Sequence, residues 1–190
     1  QLVVDGNGGD RLNFADAADW SNVGTVSQGG QTYQVYNHST AAAQVLSGVG
    51  AVCLGTAGAD TLVGSIHDDL LYGLAGNDTY GVDHVGDVVT ENAGAGTDSV
   101  QSSITHTLAA NVEHLILPGT AFIDGTGNAL ANQLAGNAVA NVLNGGGGAD
   151  TLIGGLGHDT YLLYHVGHRN HHIPRDATDT VRSSIPHTLA

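Results

Sequence analysis

Apolar residues in this chain recur at intervals of nine. Three nine-residue units run without a gap, GTAGADTLV (55–63), GSIHDDLLY (64–72) and GLAGNDTYG (73–81), and four more follow later, GNALANQLA (127–135), GNAVANVLN (136–144), GGGGADTLI (145–153) and GGLGHDTYL (154–162). Position 8 of each unit is large and apolar or aromatic: Leu62, Leu71, Tyr80, Leu134, Leu143, Leu152 and Tyr161. Position 1 is glycine throughout, and position 6 is Asp60, Asp69, Asp78, Asn132, Asn141, Asp150 or Asp159. Three positions held in register over seven units define a repeat, which must be recognised before single elements are assigned. The first six residues of a unit are rich in glycine, which takes positive φ at no steric cost, and predict a tight turn. The last three predict a short strand whose middle side chain points inward between two outward neighbours. Two units then make one coil with two strands and two turns, and stacked coils line up the position-8 side chains as a thin core.

A second, longer repeat brackets the first. Residues 76–109 return as 157–190, an offset of 81 residues, or nine units. The intervening segments predict short strands at Val88–Val89, Ser99–Ser102 and Val112–Leu117, broken by a turn over Asn92–Gly96. Residues 1–45 differ: DGNGGDRLNF and QTYQVYNH read as strands and turns of a β-rich cap or adhesin-like segment. The expected organisation is therefore a cap over 1–45, a first block of repeats over 46–90 and a β spacer over 91–126. A second block over 127–162 and a degenerate spacer over 163–190 complete it.

Composition narrows the chemistry. Of 190 residues, 29 are glycine but only three are proline, which excludes collagen, and aromatics are too few for a thick core. Eighteen acidic residues face four arginines, for a formal net charge of −14. That balance disfavours nucleic acid and anionic membrane surfaces as partners, since both require a basic face. It suits a cation-binding chain whose carboxylates repel one another until metal arrives. The single cysteine, Cys53, rules out an internal disulfide framework, and no apolar stretch is long enough to span a membrane. The chain opens at Gln1 in the middle of a pattern and reads as a fragment of a larger protein. Asp at position 6 closes each turn beside carbonyls exposed by the bend, and a carboxylate among carbonyls is a hard, all-oxygen donor set suited to calcium.

GGGGADTLI and GLAGNDTYG resemble the nonapeptide of the RTX (repeat-in-toxin), or hemolysin-type calcium-binding, family. The resemblance implies an all-β fold, a right-handed parallel β-roll (a β-helix solenoid) with several calcium ions held in the turns along each edge. It also implies a bacterial protein exported by a type I secretion system and folding on extracellular calcium, secreted or attached to the cell surface. Because same-edge neighbours lie two units apart, a complete site needs two good turns on one edge. Turns 55–60 and 73–78 form such a pair, with Gly55, Gly58, Asp60, Gly73, Gly76 and Asp78. Turn 64–69 carries Asp69 but has His67 at position 4, and its neighbour 82–87 keeps Asp87 without the leading glycine. Turns 127–132 and 136–141 have Leu130 and Val139 at position 4, where a left-handed bend is disfavoured, and Asn at position 6. They are expected to be structural, with Asn ladders in place of metal. Asp150 and Asp159 lie on opposite edges and are expected to form half-sites, since the turn after Asp150 on its own edge ends at His168.

Other residues read as structure. The cluster of His165, His168, His171 and His172 with Asp176 and Asp179 could hold a transition metal, but it aligns with acidic or small residues of the first spacer and reads better as a degenerate spacer. Cys53 falls at position 8 when the register is extended backward, which makes it a buried apolar residue rather than a reactive thiol. Tyr80 and Tyr161 close the core, and Asp83 and Glu91 read as solvated acids. Catalytic signatures such as H-E-x-x-H and G-x-S-x-G are missing from the sequence, and the acidic residues repeat with the turn, whereas catalysis needs one asymmetric constellation. The chain is therefore expected not to be an enzyme but a calcium-binding folding module that supports secretion and stability of a larger exported protein. The alternatives are a spacer of a bacterial adhesin, with a host or surface ligand, or the C-terminal part of an exported protease or lipase.

Overall fold

In the computed structural model the described residues are 20–28, 31–38, 43–47, 50–164, 167, 169–171 and 178–184. They form strands and turns without a helix, in two compact units, Gln1–Gly96 and Thr97–Ala190. The first unit begins with β1 (Trp20–Gln28) and β2 (Gln31–His38), paired antiparallel. Next come β3 (Ala43–Ser47), β4 (Gly50–Leu54), β5 (Thr61–Val63), β6 (Leu70–Tyr72), β7 (Thr79–Val82) and β8 (Val88–Thr90). From β4 onward pairing is parallel and skips one strand, β4 with β6, β6 with β8 and β5 with β7. That is the connectivity of a β-roll, in which each coil crosses from one sheet to the other and back.

The second unit contains β9 (Ser99–Ser102), β10 (His106–Thr107), β11 (His114–Ile116), β12 (Gly125–Thr126), β13 (Gln133–Ala135) and β14 (Val142–Asn144). It continues with β15 (Thr151–Ile153), β16 (Thr160–Leu163), β17 (Arg169–His171) and β18 (Thr180–Ser183). Odd-numbered strands pair in parallel along one sheet and even-numbered strands along the other. The expected all-β parallel roll is what the chain forms. The spacer strands also fall close to expectation, with the Val112–Leu117 strand trimmed to His114–Ile116.

The register explains the nine-residue pattern. In the first unit Cys53 aligns with Leu71 and Leu71 with Val89, while Leu62 aligns with Tyr80 on the facing sheet. In the second, Leu115, Leu134 and Leu152 form one stripe, and Leu143 and Tyr161 stack on the other. All of these are fully buried except Val89, which is nearly so. Each three-residue strand thus contributes one side chain to the interior and turns two outward. Burying one such Leu is worth roughly 1.5–3 kcal/mol, so the solenoid is held by many equal small contributions. Gly125 occupies a core place in β12 because Leu115 and Leu143 fill the space its side chain would need. Cys53 is buried, as a position-8 residue should be, and its Sγ faces the Val63 carbonyl at 3.8 Å.

Tyrosine at position 8 reaches further than leucine. The Tyr80 hydroxyl donates to Glu91 Oε2 over the bare Cα of Gly73. The Tyr161 hydroxyl accepts from Gly154 N at 3.1 Å and donates to Asp179 Oδ2 at 3.4 Å. Glu91 is buried at 7% exposure, so the reading of it as a solvated acid is corrected. Burial first, then the charges of Asp179 and Asp159, push the Tyr161 phenol well above its ordinary value. The folded state therefore holds this proton more tightly than the unfolded chain.

Two predictions follow from the core. Leu71→Ala and Leu134→Ala should each lower stability by about 2–5 kcal/mol, read from denaturant midpoints in calcium, whereas Ile66→Ala, 77% exposed, should stay within about 0.5 kcal/mol. Stability should also fall as pH rises above about 10, where the unfolded tyrosine ionises first, and Tyr161→Phe should flatten that fall in a pH series of unfolding curves.

Candidate metal centres in the stacked turns

The turns close in two ways. In turns 55–60, 64–69, 127–132 and 136–141 the residue at position 2 has an oxygen-bearing side chain that accepts from the backbone N–H at position 4. The pairs are Thr56 Oγ1 with Gly58 N (3.1 Å), Ser65 Oγ with His67 N (3.2 Å), Asn128 Oδ1 with Leu130 N (2.8 Å) and Asn137 Oδ1 with Val139 N (3.1 Å). These are Asx- and ST-turns, in which the side chain replaces one backbone bond of the bend. In turns 73–78, 145–150 and 154–159 no such side chain is present, and positions 2 and 4 are both left-handed: Leu74 with Gly76, Gly146 with Gly148 and Gly155 with Gly157. Position 4 is thus left-handed only in the second class. The expectation that His67, Leu130 and Val139 oppose the bend is corrected, because their turns do not ask for it. Gly58 is likewise outside the left-handed region, unlike Gly76 at φ +117°.

Stacking sets the two classes against each other. Turn 55–60 lies on turn 73–78, with Gly55 against the Gly73 carbonyl and Gly76 against the backbone of Gly58 and Ala59. Asp78 Oδ1 accepts from Asp60 N at 2.8 Å across eighteen residues, and Asp60 Oδ2 accepts from Thr56 N at 2.6 Å and Thr56 Oγ1 at 2.9 Å within its own turn. Gly55, Gly58, Asp60, Gly73, Gly76 and Asp78 therefore share one edge. Beyond it, the Asn92 amide donates to the Leu74 carbonyl at 2.8 Å.

The opposite edge of this unit carries a close group of three acids. Asp87 Oδ1 accepts from Asp69 N at 3.0 Å, and Asp69 Oδ2 from Ser65 N at 2.7 Å. Asp83 joins them, so that carboxylate oxygens of Asp69, Asp83 and Asp87 all lie within 4.8 Å of one another. Asp83 was read from sequence as a solvated acid; it is exposed, yet it stands in this group. Nearby, His84 Nδ1 contacts Asp68 Oδ1 at 2.6 Å. Residues 52–96 hold seven acidic side chains and no Lys or Arg. Backbone N–H groups of Ser65, Asp69, Asp83 and His84 already donate to the Asp69 and Asp87 carboxylates, and a cation held among the three acids would offset the repulsion that remains. Carboxylates beside bend carbonyls supply the all-oxygen donors that calcium takes.

In the second unit Asp150 Oδ1 accepts from Asn132 N at 2.8 Å and Asp159 Oδ1 from Asn141 N at 2.9 Å. Both carboxylates are buried. Asp159 has a further carboxylate on its own edge: its N–H donates to Asp179 Oδ1 at 3.0 Å across twenty residues. The expectation of a half-site at Asp159 overlooked this neighbour, because the spacer adds two residues to the eighteen of a regular coil. The Asn residues behave differently. Asn128 Nδ2 donates to Ala109 O (2.6 Å) and Val112 O (2.7 Å), and Asn132 Nδ2 to Val112 O (3.0 Å) and Glu113 O (3.3 Å). Asn137 Nδ2 donates to Ala121 O (2.9 Å) and Asn141 Nδ2 to Ile123 O (2.5 Å). Of the histidine cluster, His165, His168, His172 and Asp176 lie outside the described residues, as does the DGNGGDRLNF stretch.

A family model for the RTX calcium-binding nonapeptide repeat matches four copies in this chain, over residues 54–80 and 126–161. The chain carries RTX calcium-binding repeats. The matched segments take in the turns 55–60, 64–69, 73–78, 127–132, 136–141, 145–150 and 154–159, and support a calcium-binding repeat module on a parallel β-roll. Searches of curated proteins and of solved structures each found no match.

The two turn classes separate the glycines of the first RTX pair. Gly76→Ala should destabilise by more than about 1 kcal/mol, since the left-handed backbone and the Gly58 contact both reject a Cβ. Gly58→Ala should be neutral or up to about 1 kcal/mol stabilising. Thermal unfolding of both variants in calcium checks the contrast.

Proposed function

We propose that the chain is a calcium-responsive folding module of a larger exported protein. Calcium would be held at two places in the first unit, by Gly55, Gly58, Asp60, Gly73, Gly76 and Asp78 on one edge and by Asp69, Asp83 and Asp87 on the other. Asp150 and the Asp159–Asp179 pair would hold it in the second. The observation that carries this reading is the convergence of Asp69, Asp83 and Asp87 in a segment without Lys or Arg. Inside a cell, low free calcium leaves these carboxylates in mutual repulsion, and the entropy of a glycine-rich chain keeps the roll open. Outside, millimolar calcium meets the roughly 10⁻⁴–10⁻³ M dissociation constants of extracellular modules, and binding to the folded state alone stabilises it. That difference suits passage through a type I secretion system followed by folding in the extracellular medium or at the cell surface. Among the described residues no helix is long and apolar enough to cross a membrane.

A second reading, a stiff spacer of an adhesin, is favoured by one observation: the Asn-bearing coil is bonded to its neighbour without any ion. A calcium titration followed by far-UV circular dichroism, begun in chelator with magnesium as control, separates the two. The folding module predicts a cooperative gain of β signal near 10⁻⁴–10⁻³ M calcium, absent with magnesium, and a midpoint raised roughly tenfold in Asp69→Asn as one charged ligand is lost. A full β spectrum in chelator, unchanged by calcium, would instead leave the spacer.

A further inference from the structure

The two kinds of gap in the second unit point to an order of assembly. In an RTX turn the position-6 side chain faces the coil before it. Where that residue is Asp150 or Asp159, a carboxylate meets the preceding coil and offers no proton to its carbonyls. Where it is Asn132 or Asn141, an amide does so, and Nδ2 carries two donors. Asn128 and Asn137 at position 2 double the effect. Six donor contacts from four amides thus run into the carbonyls of Ala109, Val112, Glu113, Ala121 and Ile123. Asn132 and Asn141 are almost fully buried, at 3% and 2% exposure, so these bonds form away from competing water. Buried polar groups must be partnered, and here the donors that carbonyls need come from the chain. In the gaps closed by aspartate the carboxylates of Asp150 and Asp159 accept from Asn132 N and Asn141 N but give no proton to the carbonyls, and a calcium ion would bring carbonyls and carboxylate together.

We infer that residues 105–144 form a metal-free seed of the second unit, closed at low calcium, onto which the coil 145–162 folds once calcium is bound. The inference rests on the calcium-responsive reading for residues 145–162 and the first unit, but the seed itself depends only on the amide contacts. The family match spans 126–161 as one stretch of calcium-binding repeats, whereas the contacts divide that stretch into an amide-closed coil and a carboxylate-closed coil. The functional consequence is that ordering of the unit starts from a coil already in place, so that calcium adds coils to a template rather than nucleating them.

Hydrogen exchange on the full chain tests this. The probes are the amides of Leu117 and Gln133, bonded to Ala135 O and Glu113 O within the seed, and those of Thr79 and Val88, bonded to Asp60 O and Asp69 O in the first unit. In chelator, Leu117 and Gln133 should exchange at least tenfold more slowly than Thr79 and Val88, and calcium should remove the difference. Loss of protection at all four sites together in chelator would overturn the seed. Should all four stay protected in chelator, the calcium-responsive reading fails, and the double variant Asn132→Asp, Asn141→Asp decides the seed separately. It replaces amide donors by carboxylates facing carbonyls. Protection of Leu117 and Gln133 should drop at least tenfold in chelator and return in millimolar calcium. Exchange in chelator equal to that of the unsubstituted chain would show that the amides do not close these gaps, and would overturn the inference.

Discussion

Everything in this structure depends on how one coil's turns meet the next. Short parallel strands fix the spacing between coils, and glycine at position 1 lets the backbones come close enough that a Cβ would strike the neighbouring turn or the coil's own position-6 side chain. At that approach the carbonyls of one turn and the side chain at position 6 of the next are brought face to face. Oxygen against oxygen is repulsive, and the gap is stable only when something positive or proton-donating fills it. The apolar stripe through the middle cannot do this, since each strand contributes one side chain to it. The edges therefore decide whether the coils close, and position 6 decides what closes them.

Two solutions to that constraint occur along the same chain. Aspartate accepts a backbone N–H of the neighbouring turn and sets a carboxylate where, on the proposed reading, a calcium ion would complete the closure. Asparagine supplies the donors itself. The position-2 residue makes a parallel choice within each turn: an oxygen-bearing side chain holds the bend with ordinary backbone angles, and where none is present the backbone becomes left-handed at positions 2 and 4, with Leu74 accepting φ +76°. Turns of the first kind stack beneath turns of the second at 55–60 on 73–78, at 127–132 on 145–150 and at 136–141 on 154–159. The pairing places a side-chain-closed bend against a glycine-opened one.

The repeat of nine made the roll legible in the sequence, because positions 1, 6 and 8 each answer to a different physical demand: close approach, edge closure and core filling. Pairing of turns two units apart was legible for the same reason. What escaped was anything that departs from the period. Asp179 joins Asp159 only because a spacer adds two residues, although the 81-residue repeat did place it opposite Asp98 in the alignment. Asp83 looked solvated because its turn, 82–87, lacks the leading glycine, and only the fold of that turn brings it beside Asp69 and Asp87. Glu91 was misread because nothing local signals that a tyrosine eleven residues earlier will reach across the roll to it. The difference between Gly58 and Gly76 lay in their turns' position-2 residues, Thr56 and Leu74, rather than in the glycines themselves.

The most direct test of edge closure is anomalous diffraction from crystals grown in calcium. Peaks should stand between turns 55–60 and 73–78 and beside Asp69, Asp83 and Asp87, and none should stand between residues 109–113 and 127–132, where the amides of Asn128 and Asn132 already meet the carbonyls. A peak in the amide-filled gap, or none at the carboxylates of the first unit, would contradict the account.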